Sequence, residues 1–163
     1  MKPILAAIDF SEGSDAVVNE AAELAKTTGA RLLVLHVSSD EVRALLAASN
    51  LFGSYDPEFV SLPGDVEIAR ELSAEEIRKE HARLQTISSE LRDAGIDAQA
   101  LLLKGDAAQR IVEKADELDA NPIVIGSHGH GALLKALVGS VSEAVIRRAG
   151  RPVLLVPVRK KAE

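Results

Sequence analysis

Two stretches hold the residue types best suited to chemistry: Ile125-Gly126-Ser127-His128-Gly129-His130-Gly131 and Gly139-Ser140-Val141-Ser142-Glu143. Glycines let a backbone approach a ligand closely, and the N–H groups that open a helix favour an anion. Phosphate is the natural candidate. Two common phosphate motifs nevertheless fail on spacing. Gly126 to Gly131 has the GxxxxG spacing of a P-loop, but Ala132-Leu133 follow where Lys and Ser or Thr are required. The dinucleotide fingerprint needs GxGxxG, whereas the order here is GxxGxG and no strand-turn-helix follows at once. Spacing alone leaves a phosphate cradle and a merely flexible loop both open.

Other residues in and near these stretches have a chemical and a structural reading. Ser140 and Glu143 have capping-box spacing, a role they would fill with no ligand present. Asp9 is placed to cap the first helix through the Ser11 to Ser14 turn. His128 and His130 form an HxH pair, but no third His, Cys or carboxylate has a metal-ligand spacing, so no dedicated transition-metal site is expected. Mg²⁺ or Mn²⁺ carried in by a nucleotide, held mostly by water and phosphate, fits better. His36 in an apolar run and His81 on a charged one are adequately explained as core and surface residues.

Positioning these residues requires a scaffold, and the apolar pattern supplies one. Five short apolar runs read as strands: Ile4 to Ile8, Arg31 to Val37, Ala98 to Leu103, Pro122 to Ile125 and Pro152 to Val158. Between them lie helical patterns at Gly13 to Thr28, Val66 to Ala94, Asp106 to Leu118 and Ser140 to Ala149. In the longest, Ile77, Leu84, Ile87 and Leu91 share a face while Glu75 and Lys79 pair at i,i+4 on another. Asp106 with Gln109 has capping-box spacing, and Gly29, Gly95 and Gly150 stand where helices end. The alternation predicts an α/β fold, a single open, mostly parallel five-stranded twisted sheet with helices on both faces. Ligands of such sheets bind where the winding reverses, at the carboxyl ends of the strands. Asp9, Val37 to Ser39, Gly105-Asp106 and the segment from Gly126 all reach that edge. Residues 39–65 break the rhythm, with a possible helix at Glu41 to Ser49 and three of the four aromatics at Phe52, Tyr55 and Phe59. They form either a satellite hydrophobic cluster or a lid over the crevice.

Bulk properties agree. The 163 residues suit one domain, placed at 1–158, with a charged tail at 159–163. Apolar residues make up 47% and aromatics 2%, so the core is aliphatic, as in strands covered on both faces. The absence of Cys removes disulfides and thiolate metal sites. No run approaches the roughly 20 residues of a spanning helix, which predicts a cytoplasmic protein with no membrane insertion. The net charge of −6 argues against nucleic acid as a partner. From Gly126 onward, however, seven basic residues stand against two acidic ones, which reads as a solvated tail or as a setting for a small anion.

Gly126, Gly129, Gly139 and Ser140 match without a gap the universal stress protein pattern: Gly, two residues, Gly, nine residues, Gly, then Ser or Thr. The chain resembles that family throughout. Ile4 to Ser11 is similar to its first strand and turn, Leu33 to Val37 to its second strand, and Gly139 to Pro157 to its closing helix and strand. The resemblance is to the members that bind ATP. It implies that Gly126, Gly129, Gly139 and Ser140, with Ser127, His130, Val141 and Ser142 beside them, surround the phosphates and ribose of ATP (or AMP/ADP). It also implies that Asp9, Ala7 and Ile8 meet the adenine and ribose, and that Val37 and Ile125 flank the base.

The function expected from this resemblance is nucleotide-responsive regulation in stress adaptation, with a homodimer through the last strand, Val153 to Val158. Slow ATP hydrolysis is a second reading, thinly supported because Lys135 is the only basic side chain within the motif and His128 and His130 the only candidate bases. A dimeric module that binds no nucleotide is a third.

Overall fold

A computed structural model describes residues 1–38, 63–128 and 138–158. The expected helix at Glu41 to Ser49, the stretch with Phe52, Tyr55 and Phe59, and the tail after Val158 lie outside the described residues. The described elements run in the order β1 (Ile4–Ile8), α1 (Ser14–Thr28), β2 (Leu32–Ser38), α2 (Pro63–Asp93), β3 (Ala98–Lys104), α3 (Ala107–Glu117), β4 (Ile123–Gly126), α4 (Ser140–Arg148) and β5 (Val153–Val156). The strands form one sheet in the order β3-β2-β1-β4-β5, and every pairing is parallel.

The central strand shows why the pattern gives this architecture. Alternate side chains of β1 point to opposite faces, and all five are buried. Ile4, Ala6 and Ile8 pack with Val17, Ala21 and Ala25 of α1 and with Leu84 and Leu91 of α2. Leu5 and Ala7 pack with Ala108, Ile111 and Ala115 of α3 and with Val145 of α4. Two aliphatic layers therefore enclose the sheet. Right-handed crossovers place α1 and α2 on one face and α3 and α4 on the other, so the winding reverses between β1 and β4.

Helix ends follow the sequence signals, with two exceptions, the first at α1, where Gly13 takes the cap position and Asp9, expected to cap the helix, accepts instead from the Ser11 N–H and the Ser14 hydroxyl. Gly29 closes α1 at φ 69°, its N–H donating to the Ala25 carbonyl, and Gly95 and Gly150 are likewise left-handed. Asp106 caps α3, accepting from the Gln109 N–H at 2.8 Å. The far end of α3 is held by Arg151, which donates to the Ala115 and Ala120 carbonyls and pairs with Asp116. At α4 the expected Ser140–Glu143 box does not form. Gly139 occupies the cap position with extended backbone, Ser140 is already helical, and among the described residues no side chain caps the helix. Glu143 pairs instead with Arg147 at 2.7 Å. The last strand is shorter than expected and ends at Val156, because the next N–H facing β4, that of Val158, donates to the Ser127 hydroxyl while the Ser127 carbonyl accepts from Gly139.

Candidate nucleotide-binding cleft

The reversal between β1 and β4 opens a cleft of about 770 Å³ at the carboxyl edge of the sheet. Strand β1 delivers Ala7, Ile8 and Asp9 to it, β2 delivers Val37, and β4 delivers Ile125 and Gly126. The start of α4 contributes Gly139, Ser140, Val141 and Ser142. Residues far apart in sequence thus converge on one cavity, of a size ordinary for a small-molecule site.

Each wall has a local cause. Asp9 Oδ1 accepts from the Ser11 N–H at 3.0 Å and from the Ser14 hydroxyl at 3.3 Å, which folds the chain back into α1. Phe10, inside that turn, has φ 59°, an uncommon conformation for a residue with a side chain. At the end of β4 a Cβ on Gly126 would lie 3.1 Å from a Val158 methyl and 3.2 Å from the His128 carbonyl oxygen. Glycine there keeps the end of β4 pressed against its neighbours. The first residues of α4 line the cleft, and among the described residues no side chain caps their amides, an arrangement suited to an anion.

Two of the serines named in the sequence are engaged within the protein. Ser127 does not line the cleft. Its hydroxyl accepts from the Val158 N–H at 3.0 Å and contacts His128 Nδ1, also at 3.0 Å, and its carbonyl accepts from the Gly139 N–H at 2.7 Å. Ser127 is therefore the joint between β4, the residue after β5 and the start of α4. Ser142 lines the cleft while its hydroxyl donates to the Gly126 carbonyl at 2.7 Å. Gly129 and His130 lie outside the described residues.

Sequence reasoning missed one whole wall. Glu76, Lys79, Glu80 and Arg83 of α2 line the cleft at i, i+3, i+4 and i+7, a charged helix face of the kind expected to face water. The spacing was there to see, but which strand ends it overhangs depends on the fold. Lys79 is held above its ordinary pKa by the hydrogen bond and the charge of Glu75, 2.8 Å away, and so stays cationic at the rim. In the sequence Gly13 marks only a helix start, yet a Cβ on it would stand 2.5 Å from both Val158 methyls. Phe10, Ser11, Ser14 and His36 also line the cleft unannounced. Among the described residues no three His, Cys, Asp or Glu side chains gather as a metal site, and no helix is long and apolar enough to cross a membrane.

The family model described as the universal stress protein family matches residues 1–157. This chain belongs to that family. Universal stress protein YxiE of Bacillus subtilis is 32% identical to it over 155 residues, covering 94% of this chain and 97% of the relative. Among solved structures, protein MJ0577 of Methanocaldococcus jannaschii superposes with a TM-score of 0.78 at 26% identity, covering 99% of this universal stress protein and 98% of the other chain. A universal stress protein of Archaeoglobus fulgidus, solved in complex with dAMP, superposes with a TM-score of 0.59 at 26% identity, covering 96% of this chain and 98% of its own.

Proposed function

We propose that this universal stress protein binds an adenine nucleotide, ATP or AMP/ADP, in the β1–β4 cleft and acts as a nucleotide-responsive regulator in stress adaptation. One observation carries the reading: the amides that open α4, uncapped by any side chain among the described residues, share a cavity with Gly126, Asp9 and an apolar slot made by Ile8, Val37 and Ile125. The amides suit phosphate, a carboxylate can accept ribose hydroxyls, and the aliphatic strand ends suit a flat base. Mg²⁺ or Mn²⁺ would enter with the phosphates. The dAMP complex of the Archaeoglobus fulgidus relative supports the ligand class.

Denaturing the purified protein and identifying what it releases is the direct test, and adenine nucleotide is the expected product. Ser140→Ala should weaken ATP binding about tenfold, the worth of a hydrogen bond to a charged group, in calorimetric titration. Unchanged affinity in that variant, or no nucleotide affinity in the parent protein, overturns the assignment. ADP accumulating from added ATP would turn the regulator into a hydrolase.

We further propose that the protein is a homodimer through β5, which among the described residues has a partner strand on one side only. Apart from Met1, the large apolar residues exposed among those described are Leu154 of β5 and Val141 and Ile146 of α4. An apolar edge of this kind is normally covered.

A further inference from the structure

His36 of β2 is 7% exposed, lines the cleft and is engaged at both ring nitrogens. Nδ1 lies 2.9 Å from the Ile8 carbonyl oxygen, an atom that can only accept, so Nδ1 carries a hydrogen. Nε2 lies 3.1 Å from Oε1 of Glu80 on α2. With the first hydrogen fixed, the Nε2 contact is a hydrogen bond only if one more proton is present. The pair is then either imidazolium with carboxylate or neutral imidazole with carboxylic acid. The other Glu80 oxygen is buried and has no hydrogen-bond partner among the described residues, so nothing there compensates for losing that proton.

The same imidazole ties three pieces of the cleft together. It holds the end of β1 through the Ile8 carbonyl and α2 through Glu80. Its ring also meets the Phe10 ring at a centroid distance of 4.4 Å, and the Arg83 guanidinium lies 4.1 Å above that ring. The charged or titratable neighbours along the cleft are Asp9 of the β1–α1 turn, Glu76, Lys79 and Arg83 of α2, and His128 after β4. From β3, the residue in register with His36 is uncharged Leu102.

We propose that His36 and Glu80 form a proton-sharing latch that positions the Ile8–Ser11 wall, so that nucleotide affinity is linked to retention of the shared proton. The linkage rests on the reading of the cleft as a nucleotide site. When rising pH strips the proton, an Nε2 lone pair faces a carboxylate at hydrogen-bond distance and the two repel. The wall then loses its support from α2 and affinity falls. By reciprocity, bound nucleotide makes the proton harder to remove.

The test compares ATP affinity of the wild type and Glu80→Gln by calorimetry from about pH 5.5 to 9. The amide in Glu80→Gln donates to the neutral Nε2 and keeps the latch closed without the extra proton. Taking the ratio of the two affinities cancels the titration of ATP itself. The wild type should lose about tenfold relative to Glu80→Gln on the alkaline side, the worth of one charge-assisted hydrogen bond. His36→Asn keeps a donor for Ile8 but lacks the latch, so it should bind weakly with no alkaline loss. A flat ratio with both proteins binding overturns the linkage. Absence of ATP binding by either protein at every pH overturns the nucleotide reading and the linkage with it. Imidazole ¹⁵N NMR of the ligand-free wild type checks the latch separately. It should show Nδ1 protonated and Nε2 bonded to the carboxyl group, and a neutral ring protonated at Nε2 alone overturns the latch itself.

Discussion

Gly13 and Gly126 approach the same side chain, Val158, from different elements; a methyl group at Gly13 would overlap it, and one at Gly126 would be tight against it. Gly13 has an ordinary φ of −82°, so alanine fits its backbone and any effect of Gly13→Ala is steric. Overpacking of this kind should cost about 1–3 kcal/mol in denaturant unfolding, and Val158→Ala in the same chain should recover most of it. Additive losses in the double variant would refute the contact. Such residue-level detail was only partly legible in the sequence. Asp9, Gly126, Gly139 and Ser140 announce themselves because their types suit phosphate and ribose. Gly13 and His36 do not, since their importance lies in contacts with Val158 and Ile8 that chain order does not reveal.

The two helices that follow β3 and β4 begin differently, and the difference separates stability from binding. The α3 N-terminus depends on the Asp106 carboxylate, so Asp106→Ala should cost about 1 kcal/mol of stability. Ser140→Ala removes no cap and should leave the unfolding midpoint nearly unchanged. An equal stability loss in both variants would restore the capping role that the sequence suggested for Ser140. Element positions were otherwise legible, because aliphatic runs of strand length alternate with helical periodicity and glycine stops. Along α2 the expected apolar face is the observed one, with Leu84 and Leu91 buried and Ile87 packed against them. The sequence shows its charged face but not that face's place at the cleft, because periodicity fixes orientation to the core and says nothing of a neighbouring strand end.

For the whole molecule, the all-parallel sheet and its reversal between β1 and β4 follow from the βα rhythm and the handedness of crossovers. Quaternary structure belongs to this scale as well. Replacing Leu154, 36% exposed on the edge strand, by Glu should convert a dimer to monomer in sedimentation at micromolar concentration without loss of secondary structure. A wild type that sediments as a monomer would remove the proposed interface. The reversal has one more consequence, in time rather than in space. During synthesis β1 meets β2 early, but its other neighbour, β4, emerges only after two further strands and three helices, and Leu5 must wait for Ile123. The cleft lies across that late seam. A chain still short of α4 has no complete cleft, so a ligand bound there would stabilise only molecules in which α4 has been made.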